Sequence, residues 1–200
     1  MSLSTAFSNF FVLTIPVWVF VFCKFLFYRA SFVEIGDSLG LSLGSKFYVG
    51  IGLLASIPGA LLAMKISSMT SGFEGSMIKP YIGQTPNLQT VSAALLYGFV
   101  ATGIPEELLF RGLIGGFLNK RFRPWIANVL QSIIFLLPHL LIVYFVPKLW
   151  VIGIFFPLGL GLLNGWLLQK SKSIFPGILV HSIPNAAGAL CLMNWSALAF

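Results

Sequence analysis

The stretch "PWIANVLQSIIFLLPHLLIVYFVP", Pro124 to Pro147, runs for 24 residues without a charged side chain. A helix that crosses the hydrocarbon core of a bilayer needs about 20 predominantly apolar residues, so this segment alone is long enough to span. It has company. Uncharged runs also cover 1–23, 47–64, 81–105, 149–169 and 173–200. The chain is 58% hydrophobic and 8% charged, against roughly 25% charged for an ordinary soluble domain. One soluble core cannot bury six such runs, so the composition implies an all-α, polytopic helical membrane protein of about six transmembrane helices.

The expected spans are 8–28, 47–65, 88–118, 125–147, 149–169 and 174–198, forming a single transmembrane domain over 1–200. The third is expected to break near 103–106, because Gly103 and Pro105 interrupt a helix there. Extra half-helices around a buried polar site are compatible with that break. The stretches 28–46 and 65–89 carry the Gly, Ser, Pro and charges of loops. Shorter connections fall at 119–124, 147–148 and 170–173.

Six crossings sort the loop cations into two groups. Lys24, Arg29, Lys46, Lys120, Arg121, Arg123, Lys170 and Lys172 share one side, and Lys65, Lys79 and Lys148 the other. The richer side is cytoplasmic by the positive-inside rule, which puts both termini outside. The first apolar stretch lacks a basic lead and exceeds the length of a signal peptide's core, so it reads as a span. The net charge of +7 resides mostly in these short loops, so it reports topology and no nucleic-acid partner. Cys23 and Cys191 stand in separate apolar segments without metal-type spacing.

With the loops assigned, the ionisable groups at membrane depth are Glu106, Glu107, Arg111, His139 and His181. The whole chain holds four Glu, one Asp and two His, so this is a concentration of scarce chemistry. Charged groups near the bilayer centre cost about 2.5–3.5 kcal/mol each on insertion scales and face a protein interior or a wet cavity. In "PEELLFRG" (105–112), Glu107 and Arg111 are four apart and can pair along one helix face. Glu106 points about 100° away and must take its partners from another element. That makes it the better candidate for proton exchange.

"FLLPH" puts Phe135 and His139 on one face, where ring can pack on imidazole, and Pro138 loosens the helix beside them. "HSIPN" does the same for His181 and Asn185, around Pro184. An imidazole N–H and an amide NH2 aimed at one point can stabilise an oxyanion. Each histidine taken alone reads as an interior residue with a satisfied ring. The two pairs together with the carboxylates read as a catalytic set.

These segments fit EExxxR, FxxxH and HxxxN in order, each on an expected span. Together they resemble the CPBP family of intramembrane proteases (the Abi, or CAAX prenyl protease-like, family), with a catalytic core at about 100–190. The resemblance implies an intramembrane endopeptidase acting on a membrane-embedded or lipidated peptide, CAAX-like tails among them, in a bacterial cell membrane. It implies that Glu106 activates water with help from His139, while His181 and Asn185 hold the oxyanion. Glu107 and Arg111 would support the site, and Phe135 would line it. No cofactor is expected. If a metal were used it would be zinc on Glu106, His139 and His181, but HExxH is absent and one glutamate would have to act as both ligand and base.

Other classes remain at this stage. The same fold could serve as a non-catalytic membrane binding or bacteriocin-immunity protein. Buried Glu, Arg and His also mark proton-coupled transporters, although no inverted repeat is visible. Two histidines could ligate haem.

Overall fold

In hydrocarbon a backbone has to satisfy its own hydrogen bonds, and the uncharged runs accordingly form helices. The computed structural model describes residues 2–70 and 77–198, and among these there are helices and turns but no strand. The main helices are α1 (Leu3–Tyr28), α2 (Phe32–Ser38), α3 (Lys46–Thr70), α4 (Leu88–Asn119), α5 (Pro124–Phe145), α6 (Trp150–Ser171) and α7 (Phe175–Cys191). Among the described residues, five helices (α1, α3, α4, α5 and α6) are long and apolar enough to cross a membrane. α7 is shorter, with 17 residues. The protein is a polytopic helical membrane protein.

Apart from α1, which starts at Leu3 instead of 8, three boundaries differ from the sequence reading by more than two residues. The loop expected over 28–46 contains α2, which opens on a capping box. The Ser31 hydroxyl accepts from the Glu34 amide, and the Glu34 carboxylate accepts from the Ser31 amide at 2.7 Å. The second difference is α3, which runs past the expected end at 65 to Thr70, since no Gly or Pro stops it earlier. Part of the following loop, 71–76, lies outside the described residues. The third is α7, which ends at Cys191 instead of 198. Gly83 donates its amide to Leu192 O at 3.0 Å and Asn194 donates to Gln84 O at 2.9 Å, so the next residues are drawn off by the loop before α4.

The interruption expected near 103–106 takes the form of wider turns within one 32-residue helical run. Pro105 offers no N–H, and its ring crowds the carbonyl four residues back. Tyr97–Gly103 and Glu107–Gly115 both adopt the π-helical turn, and the Ile104 amide reaches five residues back to Phe99 O. Such turns widen the ladder without parting it, and they recur at functional sites. The two acids therefore sit where one widened segment gives way to the next.

Close packing divides the chain into two compact units. The first comprises Met1–Val12, Leu53–Pro105 and Ile178–Phe200. Its core is Ala6, Tyr81, Ala94, Tyr97, Ala101, Ala189 and Met193. Here α4 and α7 approach at Gly98, where a Cβ would lie 2.6 Å from Ser182 O and 2.7 Å from the Ala186 amide nitrogen. Small residues permit that crossing, and no larger side chain fits.

The second unit comprises Leu13–Gly52 and Glu106–Gly177. Val17, Ile35 and Leu39 form its apolar cluster, with Leu108, Leu109 and Leu113 of α4 packed against it. α5 and α6 run as an antiparallel pair joined by a tight turn at Pro147–Leu149. At the loop end of that pair, Gln169 donates to Asn119 Oδ1 at 2.8 Å and to Pro124 O at 2.6 Å. These bonds tie α6 to the connection between α4 and α5.

Candidate active site

The EExxxR pairing is realised in the second unit. Arg111 Nη1 lies 3.1 Å from Glu107 Oε1, and neither side chain has any exposed surface. Breaking such a pair strands a buried charge, whereas keeping it holds α4 in one register. Glu106, its neighbour, is half-buried.

An aromatic stack links this pair to α5. The Arg111 guanidinium carbon stands 4.1 Å from the centroid of the Phe135 ring, a cation–π distance. Phe110 meets the same ring edge-on at 5.0 Å. Phe135 also packs against the His139 imidazole, with centroids 4.6 Å apart. The expected packing of aromatic on imidazole is thus present, and Phe135 is fully buried. Pro138 lies within α5 without ending it.

His139 Nδ1 lies 2.9 Å from Phe135 O. A carbonyl oxygen can only accept, so Nδ1 carries the proton and Nε2 is the basic nitrogen of the neutral ring.

Asn164 of α6 completes the second unit's polar set, and the sequence reading passed over it. Its Nδ2 donates to Glu107 Oε1 at 2.9 Å and to Gly177 O at 3.2 Å. Gly177 is where that close approach needs a missing side chain. A Cβ there would stand 2.9 Å from Glu107 Oε2 and 3.2 Å from Asn164 Cγ. The signal in the sequence was an amide inside the uncharged run 149–169, but a search for charges does not register an amide.

His181 and Asn185 belong to the first unit, four residues apart on α7, which continues through Pro184. His181 is buried and Asn185 half-buried. Asn185 Nδ2 donates to Thr102 Oγ1 at 2.9 Å, while that hydroxyl faces Gly98 O at 3.0 Å and Tyr97 O at 3.1 Å. The carbonyls claim the hydroxyl proton, so Thr102 accepts from Asn185 and sets the amide's orientation. Thr102 was likewise not singled out from the sequence.

Among the described residues, no three His, Cys, Asp or Glu side chains gather as the ligands of a metal ion would.

The family model described as type II CAAX prenyl endopeptidase Rce1-like matches residues 88–187, half of the 200-residue chain, and takes in all three motifs. The chain belongs to this family of CAAX-type proteases. No curated protein and no solved structure matches it.

Proposed function

We propose that the protein is an intramembrane endopeptidase that hydrolyses a peptide bond in a membrane-embedded or lipidated substrate. Glu106 takes a proton from water as that water attacks the scissile carbonyl, and His139 Nε2 assists. His181 and Asn185 donate hydrogen bonds to the oxyanion of the tetrahedral intermediate, the position where such donors have most effect. The proton taken by Glu106 then passes to the leaving amine. Glu107 and Arg111 hold α4 in place, and no metal takes part. By the loop charges both termini lie outside, in a bacterial cell membrane.

One observation supports the division of labour above all others: two adjacent acids lie in different environments. Glu107 is fully buried and bonded to Arg111 and Asn164. Glu106 keeps some exposure, as a group that must meet water and substrate does. A general base has to come within about 2.6–3.2 Å of the proton it removes, directly or through one water.

The test compares the membrane proteomes of cells carrying the native protein, Glu106→Gln or His139→Ala, with insertion and folding verified for each. The same full-length membrane peptides should accumulate in both variants. A variant that keeps the native peptide profile would overturn the assignment and point to a binding or immunity role.

A further inference from the structure

α5 carries Asn128, Gln131, Phe135 and His139 at successive spacings of three and four, and its polar members meet α6. Gln131 Nε2 donates to Gly161 O at 2.8 Å and reaches Asn128 Oδ1 at 2.9 Å. Asn128 in turn donates to Leu162 O at 3.0 Å. Asn164 Nδ2 is held by Glu107 and Gly177 O, as described. Every one of these partners acts as an acceptor, so the orientation of both buried amides is fixed, with nitrogen toward the partners and oxygen away.

That orientation has a consequence. Gln131 Oε1 and Asn164 Oδ1 are buried and have no hydrogen-bond partner among the described residues. Arg111 shows the converse, with buried Nε and Nη2 donors that have no such partner either. A chain of contacts joins the three groups. Arg111 stands over Phe135, Gln131 is one turn from Phe135 on α5, and Gln131's acceptor Gly161 is about one turn from Asn164 on α6.

A buried polar group without a partner is costly and rare. An anion drawn to Arg111 would meet two carbonyl oxygens and the Glu107 carboxylate, and a cation drawn to those oxygens would meet the guanidinium. A small neutral molecule that both donates and accepts satisfies all of them, and that molecule is water. We propose a buried water cluster among α4, α5 and α6, held by the donors of Arg111 and the amide oxygens of Gln131 and Asn164. It opens to the aqueous phase at half-buried Asn128. Its use rests on the proposed function, since hydrolysis within a bilayer consumes water and the cluster lies on the stripe that leads to His139.

Radiolytic hydroxyl labelling read by mass spectrometry tests the proposal on the full-length protein in lipid nanodiscs, with no substrate present. Side chains beside bound water are oxidised even when they have no exposed surface. Phe135 and Leu167 are both 0% exposed, so Leu167 serves as the dry reference after correction for intrinsic reactivity. Phe135 should label several-fold faster than Leu167. The double variant Gln131→Leu/Asn164→Leu should bring it down to the reference. Equal labelling of Phe135 and Leu167 in the native protein would overturn the cluster. So would native-level labelling of Phe135 in the double variant. The reading needs no turnover, so labelling without any peptide cleavage would sink the protease assignment and leave the cluster standing. Cleavage without labelling would do the reverse.

Discussion

His139 Nδ1 and the carbonyl oxygen of Phe135 stand 2.9 Å apart, one helical turn from each other on α5. The bond makes Nδ1 the protonated nitrogen and turns Nε2 into the ring's base. Ring-nitrogen chemical shifts of selectively labelled protein should therefore report the Nδ1–H tautomer at neutral pH. An Nε2–H tautomer would contradict the role given to His139.

The two acids should fail in different ways when changed. Glu107→Ala strands the Arg111 guanidinium, and the loss of one partner from a buried pair costs about 3–5 kcal/mol. Its thermal midpoint in detergent should drop sharply. Glu106→Gln should unfold close to the native temperature while losing activity. Reversed behaviour would exchange the roles of the two residues.

Gly177→Ala tests the close approach of Glu107 and Asn164. The added Cβ would stand 2.9 Å from Glu107 Oε2, and that carboxylate belongs to a side chain bonded to both Arg111 and Asn164. Overpacking of this kind costs about 1–3 kcal/mol. Gly159→Ala is the control, because a Cβ there meets nothing within 4 Å. Equal midpoints for the two variants would refute the packing described.

Tyr81 supplies a dependence on alkaline pH. Its phenol donates to Ala93 O at 2.8 Å, and burial pushes its pKa from 10.0 up to about 12. The folded protein thus binds this proton more tightly than the unfolded chain does. The resulting stability is whole below pH 10.0 and is lost as pH rises through about 12. Tyr81→Phe should remove that component from both the phenolate absorbance titration and the stability curve.

The helices were legible because charge is scarce: long uncharged runs allow little but spans. α2 was hidden because its Ser31–Glu34 box lies among the glycines and serines of a loop, although the S-x-x-E spacing was there to see. Gly103 and Pro105 announced an interruption in α4 but not its form, since a break and a π-helical turn both relieve the same proline clash. The Glu107–Arg111 pair followed directly from helical spacing, and the Phe135–His139 packing did too. Asn164, Gln131 and Thr102 escaped notice for a common reason. Uncharged polar side chains add little to a hydropathy window, yet in a buried seam they decide which way each neighbour points.

The central claim is that Glu106 activates water for peptide hydrolysis without a metal. The most direct measurement is cleavage of a membrane-anchored peptide by the purified protein in liposomes, with and without a strong chelator, alongside Glu106→Gln. Native cleavage should survive the chelator and incorporate oxygen from isotopically heavy water into the new carboxylate. Glu106→Gln should be slower by about 100- to 10,000-fold, the range expected for loss of a general base. Cleavage abolished by the chelator and restored by zinc, or undiminished in Glu106→Gln, would contradict the account.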